Sequence, residues 1–339
     1  MINISVALCT YNGEDYLRQQ LISILNQTMA VDEIVICDDC SSDNTVLIIN
    51  EFKEKYPKLI RFYQNDTNLG YRRNFDNCYR LCKGEYIFSC DQDDIWNDNK
   101  VEKIFNTFKE NTMLVFTNAS IIDKNGNDVN KTLWGILELD YNSISNNEVF
   151  KETIRKRFVV TGATMAFRKS MYDKIEICSY TYEHDALIAR VAPIFGEVIA
   201  INEKLIKYRR HGKNATVIEE VYEEIPKKRT IIDKLKLNYS KIISNGRYSR
   251  FAYPCELLEP VYHISKNYDN DYSRSYNEPF LYFDSLYKMS KMNRLKSICC
   301  LTKFICNKDN RDAYKKYKGK ETFPIIKDYV YFLFARGYQ

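Results

Sequence analysis

The sequence has no uninterrupted apolar run that approaches the length of about 18 residues typical of a membrane-spanning helix. Its first ten residues, MINISVALCT, lack the basic start and long apolar stretch of a secretory signal, and they predict a β-strand instead. No G-x-G-x-x-G motif follows that strand, which disfavours a dinucleotide-dependent oxidoreductase. These absences favour a cytoplasmic location, and the eleven cysteines are then expected to be reduced thiols.

Charge is distributed unevenly along the 339 residues. Residues 226–339 carry 23 Lys and Arg against 11 Asp and Glu, whereas the rest of the chain carries 27 against 34. We therefore expect two regions, an α/β domain over 1–220 and a basic, mostly helical region over 221–339. Such a basic region predicts contact with an anionic membrane surface on the inner face of the cell membrane, with the acceptor, or with a second copy of the chain. A solvated helical face explains the same charge.

Strands and helices alternate in the first half of the chain. β-Branched apolar runs predict strands, and apolar residues spaced by three or four predict helices. Ser41 or Ser42 is expected to begin the second helix. This alternation is typical of a parallel sheet covered by helices on both faces. The predicted strands are Ile2–Leu8, Glu33–Cys37, Leu59–Tyr63, Glu85–Ser89, Met113–Asn118, Thr161–Phe167 and Glu197–Ile201, and the predicted helices are Tyr16–Leu25, Ser42–Phe52, Arg72–Leu81 and His184–Phe195.

Polar residues follow three of the predicted strands directly. They are Thr10–Asn12, Asp38–Asp39 and Asp91–Asp94. Ligands of such sheets bind at the carboxyl ends of the strands. The sequence therefore predicts a binding site at this edge of the sheet.

The segment Asp91-Gln92-Asp93-Asp94 places three acids within four residues. Such acids repel one another unless a cation lies among them, and carboxylate oxygens suit Mg²⁺ or Mn²⁺. An acidic turn exposed to water is the alternative. A zinc site at Cys37 and Cys40 is disfavoured because structural zinc requires four ligands, so these two residues are expected to be small buried side chains.

Five separated motifs resemble glycosyltransferase family 2. They are Ser5–Gly13, Ile34–Thr45, Asn68-Leu69-Gly70 with Asn74, Gly84–Ile87 and Asp91–Trp96. The resemblance covers roughly residues 3–215. It implies the GT-A fold, a Rossmann-like α/β fold with a mixed sheet, here with a C-terminal helical extension. It also implies inverting transfer of a sugar from a nucleotide-diphosphate donor to a glycan or lipid-linked saccharide acceptor, with Mn²⁺ or Mg²⁺ as the cofactor.

The resemblance also implies roles for individual residues on the donor side. Thr10 and Asn12, with one or both of Asp38 and Asp39, would bind the nucleobase and ribose. Asp91 and Asp93 match the metal motif, and Asp94 would bind either the metal or the ribose. Arg72 and Asn74 lie where the family approaches the donor, although a basic start of a surface helix is an equal alternative. Gly162 belongs to a loop near the donor sugar, where glycine permits close approach of the backbone.

On the acceptor side, Asp185 resembles the family's catalytic base, which takes the proton from the attacking hydroxyl. Glu183 is the alternative base, because His184 separates the two acids. For Asp185, an acid favoured by the helix dipole is the structural alternative.

The segment Tyr208–Asn214 is similar to segments of bacterial rhamnosyltransferase-like members that act in surface polysaccharide assembly. By that resemblance His211 would complete the metal site, and Arg209 and Arg210 would bind the diphosphate. The implied donor is dTDP-rhamnose, with UDP-hexoses or UDP-galactofuranose as alternatives.

Two other functions stay open at this point. Sugar-phosphate nucleotidyltransferases share the nucleotide-binding architecture, but they begin with a glycine-rich phosphate loop that Thr10–Gly13 does not match. A non-catalytic sugar-binding module is the other alternative, and the intact acids at Asp91, Asp93 and Asp185 disfavour it. No nucleic-acid-binding motif accompanies the basic residues, so we expect no nucleic-acid partner.

Overall fold

A computed structural model describes residues 3–137, 139, 160–175, 183–212 and 214. These residues belong to the first of two units into which the chain divides, Met1–Asn214 and Ala215–Gln339. The basic region expected over 221–339 lies outside the described residues, and the boundary at 220 stays a prediction.

One nine-stranded mixed sheet organises the described residues. Its strand order is β3-β2-β1-β4-β8-β6-β9-β5, with β7 paired to β6. The four strands β3, β2, β1 and β4 are parallel, whereas β8 runs antiparallel between β4 and β6. The strands are β1 (Ile4–Thr10), β2 (Glu33–Asp38), β3 (Ile60–Gln64), β4 (Tyr86–Cys90), β5 (Ile95–Trp96), β6 (Thr112–Ile122), β7 (Asp128–Thr132), β8 (Met165–Arg168) and β9 (Glu197–Arg209).

Helices connect most of these strands, as the alternating pattern predicts. Both β1 and β2 are buried along their whole length, which explains their continuous apolar runs. The mixed sheet confirms the fold class expected from the sequence. The helices are α1 (Leu17–Leu25), α2 (Thr45–Lys55), α3 (Tyr71–Leu81), α4 (Lys100–Thr107), α5 (Leu133–Ile136), α6 (Lys169–Tyr172) and α7 (His184–Phe195), and one 3₁₀ turn spans Gly162–Thr164.

The start of α2 differs from the prediction. The helix begins at Thr45, and neither Ser41 nor Ser42 caps it. Ser41 instead bonds to Asp38 through its main chain and hydroxyl, and the main-chain N–H of Ser42 donates to Asn12 Oδ1 over 2.8 Å. The serines are therefore used to hold the loops at the sheet edge together.

Cysteines gather where β1, β2 and α3 meet. Cys9, Cys37, Cys78 and Cys82 are all buried free thiols, and burial raises the pKa of Cys9 to about 12. Cys40 was expected to be buried as well, and that expectation is wrong. Cys40 is exposed and has a φ of +66°, because the chain reverses there after β2.

Among the residues that the structure describes, no helix is both long enough and apolar enough to cross a membrane.

Candidate active site

Asp38, at the end of β2, joins two loops of the sheet edge. Its carboxylate accepts hydrogen bonds from Thr10 Oγ1 over 2.8 Å and from the main-chain N–H of Ser41 over 2.9 Å. Asp38 is fully buried and Thr10 is 2% exposed. The geometry gives both residues a part in shaping the loops, and their contact with a nucleotide stays a prediction.

Asp39 fixes the start of α3. Its carboxylate accepts from the main-chain N–H groups of Leu69 and Gly70, each over 2.8 Å, and from Asn65 Nδ2 over 2.9 Å. Asn74, also buried, donates to the Cys37 carbonyl over 2.9 Å. Because these bonds attach α3 to the end of β2, they place the first turn of α3 at the same sheet edge.

Asn12 is exposed in the loop after β1. It adopts a left-handed φ of +47°, a region in which asparagine is favoured among residues other than glycine. Its Oδ1 accepts from the main-chain N–H of Ser42, and its own N–H donates to Ser41 Oγ over 2.9 Å. These bonds bring the loops after β1 and β2 together, as the sequence predicts.

The acidic loop, Asp91–Asp94, lies beside them at the end of β4. Asp93 Oδ2 is 2.7 Å from His211 Nε2 and accepts from Asn214 Nδ2 over 3.2 Å. The His211 ring stacks on Tyr16 with 4.9 Å between centroids. The structure therefore brings His211 to the acidic loop across more than a hundred residues of sequence.

Asp94 is buried more deeply than Asp91 or Asp93. One of its carboxylate oxygens accepts from the main-chain N–H of Arg209 over 2.8 Å, and the other has no partner among the described residues. This contact connects the acidic loop to the end of β9. The metal or ribose contact of Asp94 stays a prediction.

Two carboxyl groups of the acidic loop have pKa values above their usual range. Burial raises the pKa of Asp91 to about 8, with further contributions from the charges of Asp93 and Asp185. Burial, with the charges of Asp93 and Asp91, also raises the pKa of Asp94 well above its usual range. A divalent cation in place of the protons would stabilise the ionised carboxylates.

The residues of the acidic loop and His211 fit a metal ion that is bound partly by the protein and partly by a substrate. Within the described ranges, no group of three or more His, Cys, Asp and Glu side chains is arranged as a ready metal site. Asp93 and His211 nevertheless meet at 2.7 Å, and half-buried Asp91 belongs to the same loop. Mg²⁺ is usually bound by one or two carboxylates together with substrate phosphates rather than by a complete protein cage. This donor set suits that mode of binding.

Arg209 is buried, and its guanidinium donates hydrogen bonds to groups of the protein itself. Nε donates to the Asp93 carbonyl over 2.8 Å, Nη2 donates to Gln19 Oε1 over 2.6 Å, and Nη1 donates to the Lys124 carbonyl over 3.2 Å. The guanidinium carbon also lies 4.7 Å from the centroid of the Tyr16 ring. The geometry thus favours a role in holding the acidic loop, whereas the diphosphate contacts of Arg209 and Arg210 stay predictions.

Glu183 forms an ion pair with Arg72. Arg72 Nε and Nη2 donate to the two carboxylate oxygens over 3.0 and 3.1 Å, and the Tyr71 hydroxyl donates to the same carboxylate. A carboxylate that accepts bonds from a guanidinium is a weak base. Of the two predicted bases, Glu183 is therefore the less suited to accept a proton.

Asp185 lies at the first turn of α7. Its Oδ2 accepts from the main-chain N–H of Gly162 over 3.0 Å, so the glycine loop fixes the orientation of the carboxylate. A Cβ at Gly162 would lie 2.6 Å from His184 Nε2, and for this reason the position requires glycine. The charge of Asp185 contributes to the raised pKa of Asp91, so the two carboxylates interact electrostatically.

Lys100 was missed by sequence reasoning, because nothing in its sequence context distinguishes it from a surface lysine. It is fully buried, and Nζ donates to the Ala163 carbonyl over 2.7 Å and lies 3.8 Å from the centroid of the Trp96 ring. Burial lowers its pKa to about 8. Lys100 therefore attaches the loop that contains Gly162 and Ala163 to the start of α4.

We expect Lys100→Met to destabilise the fold by about 1–3 kcal/mol, because the buried Ala163 carbonyl loses its donor. Lys103→Met is the matched control on the same helix, since Lys103 forms an exposed ion pair with Glu203 whose loss costs at most about 1 kcal/mol. Urea unfolding followed by circular dichroism measures both. Equal midpoints for the two variants would contradict a structural role for Lys100.

Two curated relatives are similar to this chain in sequence. TarP of Staphylococcus aureus, a poly(ribitol-phosphate) β-N-acetylglucosaminyltransferase, is 30% identical over 193 residues, which cover 55% of each chain. An uncharacterised protein of Mycobacterium tuberculosis is 27% identical over 214 residues, which cover 62% of this chain and 59% of that one. The chain thus spans between about half and three fifths of the length of these curated relatives.

The fold resembles a solved glycosyltransferase. The structure of S. aureus TarS residues 1–349 in complex with UDP-GlcNAc has a TM-score of 0.55 and 15% sequence identity, and the alignment covers 98% of this chain and 81% of that one. The family model of glycosyl transferase family 2 matches residues 5–176, which make up half of the chain. The matched residues include β1, β2, β4 and the acidic loop. The motifs, the sheet and this match agree, and the chain belongs to glycosyl transferase family 2.

Proposed function

We propose that the protein transfers a sugar from a nucleotide-diphosphate donor to a hydroxyl of a glycan or polyol-phosphate acceptor, with inversion at the anomeric carbon. The observation that supports this most directly is the meeting of the loops after β1, β2 and β4 at one edge of the sheet, with Asp185 in electrostatic interaction with Asp91. Gly162 orients the Asp185 carboxylate, and the loop after β1 bonds both to the loop after β2 and to Gln92 of the acidic loop. Inverting transfer requires a base opposite the leaving diphosphate.

Asp185 acts as the base in this mechanism. It takes the proton of the acceptor hydroxyl while that oxygen attacks the anomeric carbon. The bond between the anomeric carbon and the donor phosphate breaks on the opposite face, and the nucleoside diphosphate leaves with its electron pair. Glu183 and Arg72 neutralise each other beside the base, so they serve to position the starts of α7 and α3.

Asp91, Asp93 and His211 hold Mn²⁺ or Mg²⁺ in this proposal. The ion supplies positive charge to the leaving diphosphate when it is bound. Arg209 supports these residues through the Asp93 carbonyl and the Asp94 carboxylate. Asn12 and the loop at Asp38–Asp39 bind the nucleoside part of the donor.

The donor sugar is a hexose or a related sugar. dTDP-rhamnose is the choice that the Tyr208–Asn214 segment favours, whereas the name of the TarP relative favours N-acetylglucosamine, for which UDP-GlcNAc is the donor to test first. A poly(ribitol-phosphate) chain or a lipid-linked saccharide suits the acceptor side. In this proposal the basic region over 221–339 binds that acceptor, an anionic membrane surface or a second copy of the chain.

A panel of nucleotide sugars tests the proposal. UDP-GlcNAc, UDP-glucose, UDP-galactofuranose and dTDP-rhamnose are each added with Mn²⁺, and thermal stability and slow hydrolysis are measured. A true donor at one hundred times its Kd should stabilise the fold by about 2.7 kcal/mol, and it should release free sugar.

The other two functions give different results in the same panel. A nucleotidyltransferase would be stabilised by nucleoside triphosphates and would release pyrophosphate in the presence of a sugar phosphate. A non-catalytic module would bind a saccharide and hydrolyse none of the donors. Either pattern would contradict the proposal.

A further inference from the structure

Gln92 lies between two predicted metal ligands, and its own side chain bonds to a different loop. The main-chain N–H of Tyr11 donates to Gln92 Oε1 over 2.9 Å, and Gln92 Nε2 donates to the Tyr11 carbonyl over 2.9 Å. The amide thus uses one donor and one acceptor on the main chain of a single residue. We call this pair of hydrogen bonds the Gln92–Tyr11 bridge.

Gly13 provides the space for the bridge. A Cβ at this position would lie 2.1 Å from Gln92 Oε1 and 2.4 Å from Gln92 Cδ, so any other residue would displace the amide. The main chain of Gly13 is also fixed, because its N–H donates to Thr45 Oγ1 over 2.8 Å and its carbonyl accepts from the N–H of Leu17 over 3.0 Å. The loop on the Tyr11 side of the bridge is therefore anchored to α1 and α2.

The bridge connects the two halves of the donor site. On one side, Asn12 stands between Tyr11 and Gly13 and bonds to the loop after β2. On the other side, Asp91 and Asp93 are the immediate neighbours of Gln92. A change in the position of either loop must therefore be transmitted through two hydrogen bonds to the other.

We infer that Gln92 is a positioning residue that couples nucleoside binding at the Asn12 loop to the geometry of the metal-binding carboxylates. The inference rests on the proposed function, since it requires a nucleotide and a metal. It predicts that a nucleoside tightens metal binding and, by reciprocity, that the metal tightens nucleoside binding.

A nucleoside tests the coupling through the protein alone, because it carries no phosphate. A diphosphate would contact the ion directly, so its effect on metal affinity would not report on the protein. Uridine and thymidine have no phosphate oxygen to offer to the ion. Any effect of these two compounds on the Kd of Mn²⁺ must therefore pass through the protein.

The experiment titrates Mn²⁺ into the full chain, with and without saturating uridine or thymidine, and follows free Mn²⁺ by electron paramagnetic resonance. In the unsubstituted protein we expect one of the nucleosides to lower the Kd of Mn²⁺ by about fivefold or more, the low end of typical coupling between sites. In Gln92→Leu, which removes both hydrogen bonds, and in Gly13→Ala, which displaces the amide, that effect should be lost.

Asn97→Ala is the matched control. It removes a single bond from a side-chain amide to the Lys204 carbonyl, of 2.6 Å, outside both loops. The coupling should persist in this variant. Coupling that is unchanged in Gln92→Leu, or absent from the unsubstituted protein although both ligands bind, would overturn the inference and leave the proposed function intact. Failure to bind Mn²⁺, nucleosides and nucleotide sugars alike would overturn the proposed function and the inference with it.

Discussion

Asp185→Asn is expected to reduce sugar transfer by about 10²–10⁴-fold, the usual effect of losing a positioned general base. This corresponds to about 3–5 kcal/mol of barrier. The asparagine carbonyl still accepts the bond from Gly162, so the fold and the glycine loop should persist. Affinity for the donor should change little, because in the proposed mechanism other loops bind the nucleoside and the metal. Turnover is measured with saturating donor and acceptor, and donor affinity by calorimetry.

Glu183→Gln separates the two predicted bases. The glutamine keeps the size of the side chain but loses the ion pair with Arg72, so it should alter acceptor affinity more than turnover. Near-normal transfer by Asp185→Asn together with a large loss in Glu183→Gln would reassign the base to Glu183. If neither variant affected turnover, the proposed mechanism would be wrong at this segment.

Asp93→Ala is expected to lose both donor affinity and turnover. The side chain contacts His211 and Asn214, and in the proposed mechanism its removal would take away one of the carboxylates that hold the metal. A Lewis-acidic ion contributes several kcal/mol to a transfer of this kind, so turnover should fall at least about 10²-fold. Addition of a strong chelator to the unsubstituted protein should have the same effect, and Mn²⁺ or Mg²⁺ should restore activity.

Asp98→Ala serves as the control for this change. Asp98 is an exposed acid four residues beyond the acidic loop, and its main-chain carbonyl accepts the bond from the N–H of Thr28. Its replacement should leave donor affinity and turnover near their normal values. Full activity in the presence of the chelator would exclude the metal from the mechanism.

The fold was predictable because its strong signals are local. The apolar runs of β1 and β2 and the spacing within α7 each depend on one segment, and the structure has strands or helices at all of them. The start of α2 was not predictable, because Ser41 and Ser42 bond across to Asp38 and Asn12 instead of capping the helix. Tertiary contacts of this kind compete with local capping preferences and are not visible in the segment itself.

The site could be predicted only where its residues form a local sequence motif. Asp91 and Asp93 stand in a recognisable motif, whereas the burial of Lys100 and the bridge made by Gln92 depend on which loops meet in space. Resemblance placed Arg209 near the donor. Its bonds to Gln19 and to three carbonyls follow from the pairing of β9 with β6, which no short motif indicates.

The late position of β9 in the chain also sets the order in which the candidate site is completed during synthesis. The loops after β1, β2 and β4 have all left the ribosome soon after Asp94, but Arg209 and His211 follow more than a hundred residues later. At elongation rates of roughly 5–20 residues per second, that interval is on the order of 10 s. The nascent chain therefore carries an acidic loop without its histidine partner for that time. A ribosome that stalls before β9 leaves a product that has the loops after β1, β2 and β4 but lacks the contacts of Arg209 and His211 with the acidic loop.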